Sequence, residues 1–152
     1  MTTGQWLTNK RIVVIGGTTG LGLSAAKAFV AQGAQVVVVG RDRANCLKAE
    51  KSLLGRGIGL TGDAREPDTA VKAIVLCQQS FGSFDGLYHV AGGSGRRMGD
   101  GPLHELTTDG WNKTLELNLT SMMLSNQAAV KAFVTQRNGG SILNMASVLG
   151  YA

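Results

Sequence analysis

Short apolar runs rich in β-branched residues alternate with amphipathic stretches along the whole chain. The apolar runs predict five strands, over residues 11–15, 36–39, 58–60, 86–90 and 141–145. The stretches between them predict helices over residues 21–32, 43–54 and 67–81, and a long last helix from Asp109 to Arg137. This strict alternation favours one doubly wound α/β domain over residues 1–152, whose parallel strands lie between two layers of helices. Ligands of such domains bind at the carboxyl ends of the strands.

A glycine-rich turn follows the first predicted strand. Gly16, Gly20 and Gly22 are spaced G-x-x-x-G-x-G and lead directly into the first predicted helix. Without Cβ atoms the chain can turn sharply, and a pyrophosphate can approach both the backbone and the amide groups that open the helix. The hydroxyls of Thr18 and Thr19 can add further donors. Together with the second strand, this pattern predicts a dinucleotide-binding βαβ unit, although a purely structural turn is the alternative.

The end of the second predicted strand indicates which dinucleotide would bind. An acidic residue there would accept a hydrogen bond from the ribose 2′-hydroxyl and favour NAD. Gly40 occupies that end instead and is followed by Arg41, whose guanidinium group can hold a 2′-phosphate. Asp42, next along the chain, weakens this preference, and a solvated arginine at a helix start is the alternative. The sequence therefore predicts NADP, with NAD as the less favoured cofactor.

These motifs together resemble the short-chain dehydrogenase/reductase family, which implies a Rossmann-type sheet with strand order 3-2-1-4-5. The family motif T-G-x-x-x-G-x-G is matched from Ile15 to Gly22, with Ile15 in place of the threonine and Leu21 between the last two glycines. Asp63 corresponds to the family residue that contacts the adenine ring, and Ala64 lies beside it. The resemblance thus implies that all of these positions, from the glycine turn to Ala64, contact the cofactor.

The segment after the fourth predicted strand resembles the family sequence N-N-A-G. Ala91 and Gly92 match its last two positions and are implied to contact the cofactor, whereas His89 and Val90 replace the two asparagines. Other side chains must therefore supply the hydrogen bonds of this turn. His89 is a candidate for part of that role, although a lone histidine in a strand is more commonly just packed in the core.

Two residues resemble the family's catalytic set. Ser147, which follows the fifth predicted strand, matches the catalytic serine, and Asn118 matches the helix asparagine that supports proton relay. The family's Y-x-x-x-K motif is not matched: Tyr151 follows Ser147 by only four residues and no lysine comes after it. The resemblance implies an oxidoreductase that transfers a hydride between NAD(P) and a carbonyl or alcohol substrate, in a chain truncated after the fifth strand. The alternative is an inactive dinucleotide-binding remnant or regulatory half-fold.

Composition narrows the remaining function classes. The net charge is +5, but the lysines and arginines are scattered, so binding to nucleic acid is not expected. No segment has the roughly 20 consecutive apolar residues that a membrane span needs. Cys46 and Cys77 form no C-x-x-C pair and indicate a reducing compartment, so we expect a cytoplasmic protein. His104 and the acidic residues near it lack the spacing of metal ligands, and no metal site is predicted.

The predicted helix from Asp109 to Arg137 is apolar on two sides. One stripe contains Trp111, Leu115, Leu119, Met122, Ala129 and Phe133, and a second contains Leu117, Leu124 and Ala132. One stripe would face the sheet, and the family resemblance implies that the other forms a helix-to-helix contact in a homo-oligomer. A wholly buried helix is the alternative.

Overall fold

Five parallel strands form a single sheet in the order β3-β2-β1-β4-β5 in a computed structural model that describes residues 5–148. The strands are β1 (Arg11–Ile15), β2 (Gln35–Gly40), β3 (Gly57–Thr61), β4 (Gly86–His89) and β5 (Ser141–Asn144). The helices are α1 (Gly20–Ala31), α2 (Arg43–Ser52), α3 (Pro67–Phe81), α4 (Thr108–Leu115) and α5 (Ser121–Gln136). The predicted α/β fold class and the strand order are confirmed, and most element boundaries differ by no more than a few residues.

The two faces of the sheet carry separate hydrophobic clusters. Val13 and Val37 point to the side covered by α3 and α5, whereas Val14, Val36 and Val38 point to the side covered by α1 and α2. Successive side chains of a strand alternate between faces, so the continuous valine run of β2 is fully buried because both faces are covered. This double covering explains why β2 shows no alternation of polar and apolar residues.

The order of strands along the sheet reverses at β1: β2 and β3 extend the sheet on one side of β1, and β4 and β5 extend it on the other. This reversal positions the site. Ile15 at the end of β1 pairs with Val39 of β2 on one side and with His89 of β4 on the other. The backbone amide of Gly16 donates to the carbonyl of Val39 over 2.9 Å, and that of Ala91 donates to the carbonyl of Ile15 over 3.0 Å. The loops after β1, β2 and β4 therefore leave the sheet side by side, at the switch point where ligands of doubly wound folds bind.

The long helix predicted from Asp109 to Arg137 is interrupted. After α4 the chain forms a π-helical turn over Glu116–Thr120 before α5 begins, and α5 ends at Gln136. A π turn inserts one extra residue into a helix, and hydrophobic periodicity alone does not predict its position. It changes which residues face the sheet on either side of the turn.

The predicted apolar stripes of this helix are only partly correct, because Ala129, Ala132 and Phe133 pack against the core but the stripes are not continuous. The side of α5 that faces the sheet is made of small residues, namely Ser121, Ser125, Ala128 and Ala129. Trp111 and Leu119, both in the first predicted stripe, are 52% and 55% exposed, so that stripe does not face the sheet along its whole length. Their exposure also means that the alternative of a wholly buried helix is wrong. The imidazole of His89 lies between β4 and α5 and hydrogen-bonds both serines, and this leaves space only for small side chains.

Candidate functional site

A cleft of about 670 Å³ lies at the carboxyl end of the sheet. Its walls come from the loops that follow β1, β2, β3 and β4, together with Leu117 of the π turn. All eleven residues that the sequence predicted for the cofactor line this one cleft: Gly16, Thr18, Thr19, Gly20, Leu21, Gly22, Arg41, Asp63, Ala64, Ala91 and Gly92. Segments separated by many residues in the sequence therefore converge on a single elongated site.

Two glycines allow the backbone segments around the cleft to approach each other. Gly16 has a φ of +85°, and a Cβ atom there would lie 2.6 Å from the backbone nitrogen of Ala91. A Cβ atom on Gly22, in the first turn of α1, would overlap the carbonyl oxygen of Gly16. Thr19 is the N-cap residue, and its side chain makes no capping hydrogen bond to α1. The amide groups of the first turn of α1 are therefore available to an anion in the cleft.

The end of β2 has no room for the acidic residue that would favour NAD. Thr18 is 7% exposed and packs against Gly40, where any Cβ atom would overlap the Thr18 hydroxyl. Arg41 follows directly, lines the cleft and is exposed to solvent. Among residues 5–148, no carboxylate lies within salt-bridge distance of the Arg41 guanidinium group.

Both carboxylates of this part of the cleft have other partners. Asp42 is the N-cap of α2 and accepts a hydrogen bond from the backbone amide of Asn45 over 2.7 Å. Asp63 forms an ion pair with Arg65, with 2.7 Å between its Oδ2 and the Nη2 of the guanidinium group. This hydrogen-bonded partner holds the pKa of Asp63 below its usual value of 3.8, although partial burial opposes the shift.

Sequence reasoning missed Arg65. Its only signal was a basic residue two positions after the predicted adenine contact, in a segment predicted as neither helix nor strand. In the structure, the backbone amide of Arg65 also donates to Asp63 Oδ1 over 3.0 Å, so the short turn before α3 brings the two side chains together.

A second, larger cavity of about 1150 Å³ adjoins the cleft and shares Val90, Ala91 and Gly92 with it. Asn118 and Ser147, the two predicted catalytic residues, both line this second cavity. Arg96, from a short 3-10 turn over Arg96–Met98, and Asp100 line it as well. The structure thus brings the predicted catalytic residues together beside the predicted cofactor cleft. Tyr151 lies outside the described residues.

The Asn118 side chain holds the loop that separates the two cavities. Its Oδ1 accepts from the backbone amide of Gly93 over 2.9 Å, and its Nδ2 donates to the carbonyl of the same residue over 3.0 Å. Nδ2 also donates to the carbonyl of Thr114, over 3.0 Å. A Cβ atom on Gly92 would lie 2.7 Å from Asn118 Oδ1, so this contact requires glycine at position 92.

The side chain of His89 hydrogen-bonds the turn after β4. It is buried, with Nε2 3.0 Å from the carbonyl oxygen of Ala91 and Nδ1 3.0 Å from the hydroxyl of Ser125. A carbonyl can only accept, so Nε2 carries the proton and Nδ1 of the neutral ring accepts from the serine. Burial lowers the pKa of His89 below its usual value of 6.5, and the Ala91 carbonyl opposes that shift. The histidine is packed, as is common for a strand histidine, and it also supports the cleft wall.

Two further findings concern the part of the chain that the structure describes. No helix within it is both long and apolar enough to cross a membrane. No group of three or more histidine, cysteine, aspartate or glutamate side chains there is arranged to hold a metal ion.

A match to a model of a protein family identifies the family of this chain. A family model described as short chain dehydrogenase matches residues 10–152. The chain belongs to the short-chain dehydrogenase family. Family membership implies a nicotinamide dinucleotide cofactor.

Individual relatives agree with this family. The chain is 30% identical over 147 residues to an NADP-dependent (R)-specific alcohol dehydrogenase of Lentilactobacillus kefiri, a match that covers 95% of this chain and 57% of the relative. It is also 30% identical over 147 residues to 2-(S)-hydroxypropyl-CoM dehydrogenase 3 of Xanthobacter autotrophicus, covering 95% of this chain and 56% of the relative. The chain thus spans a little over half the length of these curated relatives.

Solved structures of short-chain dehydrogenases share the fold. One from Mycobacterium smegmatis superposes with a TM-score of 0.89 at 27% identity, covering 100% of this chain and 64% of that structure. One from Mycobacterium marinum superposes with a TM-score of 0.87 at 26% identity, covering 96% of this chain and 59% of that structure.

Proposed function

We propose that the chain binds NADP(H) in the cleft and serves hydride transfer between that cofactor and a carbonyl or alcohol substrate in the adjoining cavity. The observation that carries this proposal is the convergence of all eleven predicted cofactor residues on one cleft that opens into the cavity of Ser147. The curated relatives, two of them named as dehydrogenases of alcohol-type substrates, support the same reaction class.

The cleft suits a dinucleotide from end to end. The glycine turn and the free amide groups at the start of α1 would hold the pyrophosphate, because an anion is stabilised by both the amide hydrogens and the helix dipole. Asp63 and Ala64 would contact the adenine ring, and Ala91 and Gly92 would lie along the nicotinamide half. When bound, the nicotinamide ring supplies or accepts the hydride.

NADP is favoured over NAD by the charges near Arg41. Packing against Thr18 excludes a side chain at Gly40, and so excludes a carboxylate for the ribose 2′-hydroxyl. Arg41 itself has no carboxylate within salt-bridge distance among the described residues, while Asp42 caps α2 and Asp63 pairs with Arg65. An unpaired guanidinium group is the side chain best suited to a 2′-phosphate.

On the substrate side, the Ser147 hydroxyl would orient the reacting oxygen and Asn118 would hold the loop beside it. A proton donor is also needed in the reduction direction. Within residues 5–148, no tyrosine or lysine lines either cavity. This observation favours a second candidate function, a dinucleotide-binding module that does not itself catalyse turnover.

A fluorescence titration of the 152-residue chain with NADPH and with NADH tests the proposal. We expect saturable binding of both, with NADPH binding more tightly. If neither cofactor binds at millimolar concentration, the glycine turn has only a structural role. Measurable carbonyl reduction that Ser147→Ala abolishes would favour the enzyme over the binding module.

A homo-oligomeric contact through α5 belongs to the same proposal. The outer face of this helix exposes Leu119, at the end of the π turn, and Met123, Val130 and Val134, which are about half to three-quarters accessible. Sedimentation of the wild type should show a dimer or larger species that Val130→Asp dissociates, and a monomeric wild type would contradict this contact.

The buried free thiols of Cys46 and Cys77 suit a reducing, cytoplasmic setting.

A further inference from the structure

We propose that Arg65 determines cofactor preference from outside the cleft: it neutralises Asp63 and so leaves Arg41 available for the 2′-phosphate of NADP. The inference rests on the proposed function, because it concerns how that same site distinguishes two dinucleotides. It assigns a role to a residue that does not itself line the cleft.

The charges that line the cleft do not suit a phosphate by themselves. Arg41, Asp42 and Asp63 are the only charged residues on its described walls, so the lining carries one positive and two negative charges. A 2′-phosphate adds up to two further negative charges at this end. Unless other groups compensate the negative charge of these two carboxylates, the site would repel the 2′-phosphate that distinguishes NADP from NAD.

Compensation for Asp42 comes from the backbone. Its carboxylate accepts from the Asn45 amide at the start of α2, where the unpaired amide groups and the helix dipole stabilise negative charge. This capping bond directs the Asp42 carboxylate toward its own helix. It therefore explains why Asp42, although adjacent to Arg41 in sequence, forms no ion pair with it in the structure.

Compensation for Asp63 comes from Arg65 and involves both carboxylate oxygens. Nη2 lies 2.7 Å from Oδ2, and Nε lies 3.1 Å from Oδ1. This paired geometry is the strongest form of arginine–carboxylate contact, and it fixes the orientation of both side chains. Glu66 and Glu116 add weaker attraction to the Arg65 guanidinium group. Arg65 therefore stays with acidic neighbours, and among residues 5–148 Arg41 is the one residue whose guanidinium group lines the cleft.

Removal of Arg65 would change the role of Arg41. The Asp63 carboxylate would then be an uncompensated charge on the cleft wall, and Arg41 already acts on it electrostatically. Arg41 would turn toward Asp63, and the free carboxylate would repel a 2′-phosphate. NADH, which lacks that phosphate, would lose much less affinity. Asp63→Asn removes the charge itself, so it should make the cleft insensitive to the loss of Arg65.

The experiment measures dissociation constants for NADPH and NADH by fluorescence with the 152-residue chain and four variants: Arg65→Ala, Arg65→Lys, Asp63→Asn and the double variant Asp63→Asn with Arg65→Ala. Arg97→Ala is the matched control, since it removes an exposed arginine that lines neither cavity. Circular dichroism of each variant shows whether the chain is folded.

We expect Arg65→Ala to weaken NADPH binding about tenfold and NADH binding no more than about twofold. Arg65→Lys should lose less than Arg65→Ala, because a charge remains but the paired geometry is lost. Asp63→Asn should keep or increase the preference for NADPH, and the double variant should match Asp63→Asn. Arg97→Ala should leave both constants unchanged.

Failure of this inference differs from failure of the proposed function. If the wild type binds neither cofactor, the proposed function is wrong. If it prefers NADPH and Arg65→Ala keeps that preference, or weakens both cofactors equally, the role assigned to Arg65 is wrong. If Arg65→Ala does not fold, Asp63→Asn still tests the role assigned to Arg65, because a lower preference for NADPH in that variant contradicts the charge argument.

Discussion

The amide side chain of Asn118 pairs with the backbone of Gly93 through two hydrogen bonds, one donated and one accepted. The pairing imitates the exchange between neighbouring strands, and it connects the π turn to the loop after β4. Because that loop separates the cofactor cleft from the cavity of Ser147, Asn118 acts first as a positioning residue for the wall between the two sites.

Loss of this side chain should release the loop. Asn118→Ala removes three hydrogen bonds and leaves the Gly93 amide without its partner, so we expect a loss of about 1–3 kcal/mol in the free energy of unfolding. Hydrogen exchange at the backbone amide of Gly93 should accelerate. Asn112→Ala, an exposed substitution on the same helical segment, is the control and should change neither quantity. Unaltered exchange in Asn118→Ala would show that the loop is held by other contacts.

The close packing of α1 on the glycine turn gives a second prediction. A methyl group at Gly22 would overlap the carbonyl oxygen of Gly16, so Gly22→Ala must displace either the turn or the helix. We expect a loss of about 2–4 kcal/mol in the free energy of unfolding and no detectable NADPH binding.

Gly101→Ala provides the comparison, because a Cβ atom there meets nothing within 4 Å. It should bind NADPH as the wild type does. Normal stability and binding in Gly22→Ala would contradict the contact between α1 and the turn.

The buried histidine predicts a pH dependence of stability. The pKa of His89 is lowered in the folded chain, so the unfolded chain binds its proton more readily. The contribution of His89 to stability is therefore fully present above about pH 6.5, and it is lost as the pH falls below that value. Thermal unfolding followed from about pH 7.5 to about pH 5.5 should show this loss in the wild type.

His89→Asn, which removes the titrating group, isolates the effect. Carboxylate titration is common to both chains, so the difference between their melting temperatures should change with pH in favour of the variant at the acidic end. A difference that stays constant over the range would mean that His89 titrates equally in both states.

Arg41 gives the most selective prediction at the cofactor cleft. Arg41→Ala removes the cation on the cleft wall, so NADPH affinity should fall about tenfold while NADH affinity stays close to that of the wild type. Arg43→Ala, the exposed first residue of α2, lines neither cavity and is the matched control. An equal loss for both cofactors in Arg41→Ala would point to a general structural role.

Local patterns were enough to predict the sheet and the outline of the cleft. The central strands β1 and β2 are continuous valine and isoleucine runs because both faces of the sheet are covered there. The residues at strand ends gather at one edge in any parallel sheet. Gly16 and Arg41 were therefore assigned to one site from these patterns, and the family resemblance added Asp63. All three line one cleft.

The features that depend on contacts between distant segments could not be predicted. The π turn shifts α5 so that Ser121 and Ser125 face His89, and no periodicity in the helix indicates a histidine from another element. The role of Asn118 as a partner of Gly93, and that of Arg65 as a partner of Asp63, likewise depend on loop conformation. Side-chain hydrogen bonds of this kind leave little trace in hydrophobic patterning.

Nuclear magnetic resonance with an isotope-labelled 152-residue chain tests the cofactor cleft most directly, because it reports which residues respond to NADPH. Titration should produce saturable chemical-shift changes in the amides of Gly16, Gly20 and Gly22, and in those of Asp63 and Ala64, with little change at the outer face of α5. If NADPH causes no shifts at these amides, or shifts residues away from the cleft, the chain does not bind the cofactor at this site.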